Sequence, residues 1–238
     1  MQIKTTGLVL SKVKYSEADL IVSIFTKEKG LVNFFLKGIR KAKRSKLKSS
    51  QFQLLSCLAL DFTYRDNKSM QFIKEAKTHI SLQNLQQNIY KSTMCMFLAE
   101  VLKLSIQEEE QNIALYQFLE NSLQSLDQAS TYADFHLQFL VELTRFLGFY
   151  PEINHNNYAY FNLLEGAFQS EELSKYVISG SNVQILEQCL NSSDLFSSLR
   201  LHQKKRQDFL DMLLYYYEIH LDGFRIPKSK AILEQVFA

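Results

Sequence analysis

A period of two governs the hydrophobic pattern of the first eighty residues, and a period near 3.6 governs the rest. Val9, Ser11, Val13 and Tyr15 alternate with Leu8, Leu10, Lys12 and Lys14, and the run over residues 20–26 (LIVSIFT) is short, β-branched and aromatic. Both patterns predict strands. Gly30 marks a turn, after which further strands are expected near residues 31–37, 54–65 and 68–76, the last two joined at Asp66 and Asn67. Five short strands with one long connection between the third and fourth predict a small closed barrel of oligonucleotide-binding (OB) type, in which no edge is left open.

Beyond His79 the spacing changes. Ile89, Met96, Phe97, Val101 and Leu104 predict a helix over residues 84–105, and Ile113, Tyr116, Leu119 and Leu123 predict another over 112–127. A third is expected over 132–147, stopped by Gly148 with Pro151 shortly after. A fourth, over 203–221, is apolar nearly all round from Phe209 onward, which places it at the centre of a bundle. Only seven Gly and two Pro occur in 238 residues, so the helical part holds little linker and should be compact. The expected fold class is α+β and multi-domain: a five-stranded OB-fold barrel over residues 1–80, followed by an all-α helical domain over 81–238 that binds partners.

Charge sharpens this division. Residues 1–80 carry 16 basic and 6 acidic side chains, residues 81–238 carry 11 and 19, and the formal net charge of +2 hides that asymmetry. Seven of the twelve residues over 37–48 are basic and none is acidic: Lys37, Arg40, Lys41, Lys43, Arg44, Lys46 and Lys48. Like charges packed together repel, so a solvated surface loop is a weak reason for such a run. A polyanion is a better one, because each neutralised phosphate releases condensed counterions. Aromatic Tyr15, Phe34 and Phe35 lie in the predicted strands and are candidate stacking platforms for bases. Neighbours on a strand face opposite sides, so one of Phe34 and Phe35 should point out of the core.

Catalytic patterns are missing. His79, His136, His155, His202 and His220 are scattered, and no metalloprotease, paired-cysteine, nucleophile-elbow or phosphate-loop motif occurs. Glu108, Glu109 and Glu110 are expected to form a polar loop leading into the next helix. Cys57, Cys95 and Cys189 are odd in number and far apart, which argues for buried apolar residues and a reducing cytoplasm. No signal peptide is expected, since Met1, Gln2, Ile3 and Lys4 lead into alternating residues, and no stretch reaches the ~18 apolar residues of a membrane span. Nothing in the chain points to an enzyme.

Several separated blocks resemble the RecO family of bacterial recombination mediators, with likeness from end to end. They are Gly7, Leu8, Val9 and Leu10; Tyr15, Glu17 and Asp19; Phe25, Thr26 and Gly30; Lys37, Gly38, Ile39, Arg40 and Lys41; Leu147, Gly148, Phe149 and Pro151; and Lys228 with Ser229. The resemblance implies an OB barrel and a helical domain without catalytic activity. It further implies binding of single- and double-stranded DNA, annealing of complementary strands, and contact with the acidic tail of single-stranded-DNA-binding protein. Joint action with RecR to load RecA, and a nucleoid-associated cytoplasmic location, are implied as well.

Two departures stand out. Many members place a four-cysteine zinc site after the L-G-[FY]-x-P segment, whereas Ile153, Asn154, His155, Asn156 and Asn157 stand here. No zinc or other cofactor is therefore expected, and packing with Tyr158, Tyr160 and Phe161 should hold the segment. Gln53 is followed by Leu54, where the family often has proline, so φ is left free there. In the acidic half, Lys204, Lys205 and Arg206 open the last long helix, and Lys228 and Lys230 follow its end; beside apolar sequence they are candidates to bind the partner's acidic tail. The bland reading of the first group is a solvated helical turn. An RNA-binding OB module with a helical interaction domain is the alternative function, because it uses the same cations and aromatics.

Overall fold

The computed structural model describes residues 1–41, 47–106, 110–192, 195–196 and 199–237. It forms two compact units, Met1–Gln128 and Ala129–Ala238.

The first unit is built on five strands, β1 (Gln2–Lys14), β2 (Leu20–Thr26), β3 (Gly30–Leu36), β4 (Cys57–Thr63) and β5 (Phe72–Ile80), in the order β3-β2-β1-β4-β5. All four ladders are antiparallel. β1 curls the sheet because its halves serve different partners. Gln2 to Leu8 pair with β4, Gly7 to Lys14 pair with β2, and a bulge between Val9 and Ser11 adds the bend. Gly7 sits where both ladders overlap. A Cβ there would lie 2.6 Å from Ile24 Cγ2, so only glycine lets the strands approach this closely.

The expected closed barrel is corrected to an open one. Among the described residues β3 and β5 form no continuous ladder; they are joined by a parallel bridge between Phe34 and Gln71, the residue before β5, where the Phe35 N–H donates to the Gln71 carbonyl (2.9 Å) and the Gln71 N–H to the Asn33 carbonyl (2.8 Å). The β4–β5 ladder carries two register shifts, and each bulge bends that hairpin, so β5 follows β4 and leaves β3. Inside the curled sheet lie Ile3, Val9, Val22, Ile24, Val32, Phe34, Ile39, Phe52, Leu60 and Phe62, all buried.

Strand limits shift for local reasons. β4 begins at Cys57 and not near residue 54, because Leu55 adopts a left-handed φ of 58°. β5 begins at Phe72 because the buried Gln71 side chain ties down the preceding turn, accepting from the Arg65 N–H and donating to the Arg65 and Lys68 carbonyls.

Three helices belong to the same unit: α1 (Gln83–Gln87), α2 (Ile89–Ser105) and α3 (Ile113–Gln128). The expected helix over 84–105 is broken at Asn88, whose side chain accepts from the Tyr90 and Lys91 N–H groups and caps α2. Glu108 and Glu109 of the expected acidic loop lie outside the described residues, and Glu110 is exposed. Buried Phe25 of β2 and Tyr116 of α3 bring their rings to 6.3 Å, so strand faces turned away from the barrel interior are covered too.

The second unit contains α4 (Phe135–Leu147), α5 (Ser181–Leu190), α6 (Gln203–His220) and α7 (Lys230–Val236). The all-α expectation needs an amendment. β6 (Tyr160–Asn162), β7 (Ala167–Gln169) and β8 (Val177–Ser179) form a small antiparallel sheet in the order β7-β6-β8, with strands too short to show a period in sequence. α6 buries Phe209, Leu210, Met212, Leu213, Leu214, Tyr216 and Tyr217, while Tyr215 faces outward. Its tyrosines are satisfied: the Tyr217 hydroxyl donates to the Leu140 carbonyl (2.7 Å) and the Tyr216 hydroxyl to the Phe149 carbonyl (2.8 Å).

The Leu147, Gly148, Phe149 block now has a physical reading. Gly148 takes φ 86° to end α4, and the turn delivers Phe149 against Tyr216, Tyr217 and His220, the last ring stacked at 5.1 Å. The segment over residues 152–158, just beyond Pro151, presents no thiol. Asn154 holds it, accepting from the Tyr158 N–H (2.9 Å) and donating to the Tyr158 carbonyl (3.0 Å) and to Glu187 (2.9 Å). Of the aromatics expected to help, Phe161 is buried against Phe168, whereas Tyr158 is exposed.

Candidate nucleic-acid interface

Two loops of the first unit lock together at the start of the basic segment. Between β1 and β2, the Ser16 hydroxyl donates to Asp19 and accepts from the Ala18 and Asp19 N–H groups. The other Asp19 oxygen accepts from the Gly38 N–H at 2.7 Å, the Arg40 N–H donates to the Ala18 carbonyl, and the Arg40 guanidinium donates to the Glu17 carbonyl at 3.0 Å. Ile39 is buried in the barrel. The Gly38 N–H, then the Ser16 hydroxyl, hold the Asp19 carboxyl below its ordinary range against the opposing effect of burial; Lys37 and Lys41 add to the lowering. Glu17, Asp19, Gly38, Ile39 and Arg40 thus form one structural clasp.

Lys37, Arg40, Lys41 and Lys48 are exposed around it. Lys41 pairs with Glu17 at 2.8 Å, an exposed contact of little energetic weight that a phosphate can replace. Lys43, Arg44 and Lys46 lie outside the described residues. Lys12, which the sequence reading did not single out, joins this cluster: its ammonium donates to the Ser49 carbonyl and is pushed below its ordinary range by burial and by the Arg40 charge.

Among the aromatics, Phe34 is a core residue, fully buried and edge-on to Phe62 at 4.9 Å, and leaves the surface set. Phe35 faces the other way. It packs edge-on between Tyr15 (5.5 Å) and Phe72 (6.0 Å), which are 65% and 61% exposed. Strand register continues the surface, since Phe35 lies opposite Ile21 and Ile21 opposite the exposed Val13. Phe72 was missed in the sequence, although it precedes the buried Ile73 just as Phe34 precedes Phe35. An apolar pair on a strand signals that one member faces out without saying which.

The candidate tail-binding cations divide likewise. Lys204 and Lys205 are exposed on the first turn of α6, and Lys228 is exposed after it. Arg206 is instead half-buried, paired with Asp134 at 2.7 Å, and donates to the Leu201 carbonyl, so it anchors the start of α6. Lys230 bridges Asp211 (2.8 Å) and Glu234 (2.6 Å); burial opposes its charge, but these hydrogen bonds prevail and raise its pKa. A cavity of about 130 Å³ lined by Tyr132, Phe135, Phe196, Arg200 and Arg206 lies at this end of α6.

Burial pushes the thiols of Cys57, Cys95 and Cys189 up to about 12, which keeps them protonated and poorly nucleophilic at neutral pH. Among the described residues no helix is long and apolar enough to cross a membrane.

An open five-stranded barrel of OB topology, continued by a helical region, defines the class of this protein. Residues 1–81 match the model for the N-terminal part of recombination protein O, and residues 86–230 match the model for its C-terminal part. The chain is 43% identical to the DNA repair protein RecO of Christiangramia forsetii and 37% identical to that of Flavobacterium johnsoniae, each over the full length of both chains. Identity to the DNA repair protein RecO of Bacteroides fragilis is 33%, over 98% of each. The chain belongs to the RecO family.

Proposed function

We propose that this protein is a non-enzymatic mediator of DNA repair and recombination, acting in the cytoplasm at the nucleoid. It binds single- and double-stranded DNA, anneals complementary strands and, with RecR, helps load RecA onto DNA coated with single-stranded-DNA-binding protein. Family membership supports the repair role. The observation that carries the reading is the row of Tyr15, Phe35 and Phe72 on the outer barrel surface, in the same unit as the clasped Gly38 and Arg40 and the exposed Lys37 and Lys41 beside them.

Phosphates on Lys37, Lys41 and their neighbours replace condensed counterions, which supplies affinity for any strand. Bases stacking on Tyr15 and Phe72 are held apart from one another and open to pairing, while the cations offset repulsion between two approaching backbones. No bond need be made or broken. The exposed Lys204, Lys205 and Lys228 are reserved for the acidic tail of single-stranded-DNA-binding protein.

The test is the salt dependence of single-strand binding. Each phosphate contact on a single strand contributes a slope of about −0.7, so replacing Lys37, Lys41, Lys43 and Arg44 by Ala should reduce the slope by up to about 3. Arg40 is spared because it holds the clasp. An unchanged slope would place the DNA elsewhere, and a preference for structured RNA over single-stranded DNA in the same titration would favour the RNA-binding alternative.

A further inference from the structure

We propose that Cys57, His79 and Glu120 form a binding site for one zinc-class divalent ion. The three residues are far apart in sequence, and the fold converges them from three elements of the first unit. Cys57 is the first residue of β4. His79 is the extra residue of a bulge in β5, because Cys57 pairs with Ile80 and Leu58 with Thr78, leaving His79 unopposed. Bulges of this kind re-aim a side chain. Glu120 lies one turn after Tyr116 on α3, and the Tyr116 hydroxyl donates to its Oε1 at 3.1 Å, orienting the carboxylate as an outer-shell partner would.

The spacing suits a metal. Cys57 Sγ is 3.5 Å and His79 Nε2 is 3.8 Å from Glu120 Oε1, and the three donor atoms all lie within 4.8 Å of one another. Tetrahedral bonds of about 2.3 Å to sulfur and about 2.0 Å to oxygen place those two atoms about 3.5 Å apart. A thiolate, an imidazole and a carboxylate select zinc over magnesium or calcium. Cys57 is buried, whereas the His79 and Glu120 side chains are 42% and 21% exposed, so the ion enters from the solvent side and a water completes its shell. On binding, the Cys57 S–H bond breaks, a metal–sulfur bond forms and the proton passes to solvent, with no change of oxidation state. The ion then pins β4, β5 and α3 together. The competing arrangement is a hydrogen-bonded cluster alone, with the Cys57 thiol donating to Glu120.

The full-length protein, stripped with a chelator, is titrated with cobalt(II) and then zinc(II). One cobalt per chain with a thiolate-to-metal charge-transfer band, displaced by zinc, is expected, together with a zinc-dependent rise in melting temperature. His79→Ala and Glu120→Gln should lose both the band and the rise while keeping the wild-type circular dichroism; they keep the test decisive if Cys57→Ser fails to fold. Absence of the band in the wild type shows a hydrogen-bonded cluster only. A band that survives in both variants places the metal on another thiol, and either result overturns the proposal.

Discussion

Replacing Phe72 by Ala tests the stacking row most directly, because Phe72 is 61% exposed and absent from the inner core of the barrel. Its removal forfeits one edge-on contact with Phe35, worth about 0.5–1.5 kcal/mol at most, so the protein remains folded. If a base stacks on the ring, single-strand affinity falls by about 1–3 kcal/mol, which is roughly a 5- to 150-fold rise in Kd. Fluorescence anisotropy with a labelled oligonucleotide at several salt concentrations separates this from an electrostatic loss. Stacking releases no condensed counterions, so log K against log salt should shift down in parallel for Phe72→Ala, whereas the cation variant changes slope. Phe72→Leu keeps an apolar side chain without a π face and should resemble Ala. Should Phe72→Ala and Tyr15→Ala both leave Kd within about twofold of wild type, the scale of ordinary mutational scatter, the row is edge packing and the stacking argument fails.

Phe34→Ala should cost about 3–5 kcal/mol of stability in chemical denaturation, and Phe35→Ala clearly less; equal costs would contradict the inward and outward assignment. Asp19 has a depressed folded-state pKa, so its contribution to the clasp is present above the unfolded value of about 3.9 and is lost as pH falls through the lower folded value. The Gly38 amide resonance should therefore move on acidification below pH ~4 in the wild type and stay in place in Asp19→Asn; identical behaviour would remove Asp19 from the clasp. Arg206→Ala removes the charged partner of the half-buried Asp134, which keeps the Leu201 N–H, and should destabilise by about 1.5–3 kcal/mol. By contrast, Lys204→Ala with Lys205→Ala should alter stability by no more than about 0.5 kcal/mol each while weakening binding of an acidic tail peptide, and unchanged peptide affinity in calorimetry would move the tail site to another face.

What was legible in the sequence follows the range of the interaction responsible. β2 matches the residues expected for it, and α6 ends within one residue of expectation, because a continuous apolar pattern is a local signal that packing has no reason to override. The break at Asn88 was local too, yet an N-cap inside a helical period reads as one more polar residue until its φ and ψ are known. The cation density over residues 37–48 was visible because charge along the chain is one-dimensional. Which cations are engaged within the protein was not. Arg206 is spent on Asp134, and Lys230 on Asp211, across separations that no local pattern encodes. The convergence of Cys57, His79 and Glu120 was hidden for the same reason, with a bulge as the deciding local event.

The open barrel and the aromatic row have one cause. The bridge between β3 and β5 is made by the main chain of Gln71, which bonds to Asn33 on one side and Phe35 on the other. A strand alternates its side chains, so the residue after Gln71 must emerge on the opposite face. Gln71 points inward, buried, to bind the turn at Arg65 and Lys68, and Phe72 consequently emerges beside Phe35. Had β5 continued along β3 in a full ladder, the outer faces of both strands would be fixed by regular pairing and no free strand edges would remain there. Because the strands meet at one bridge and then diverge, the aromatic rings of Tyr15, Phe35 and Phe72 fill the surface over the junction. The sequence feature that produces this is a polar Gln71 set before an aromatic and a buried Ile73, which ties the geometry of closure to the chemistry of the surface.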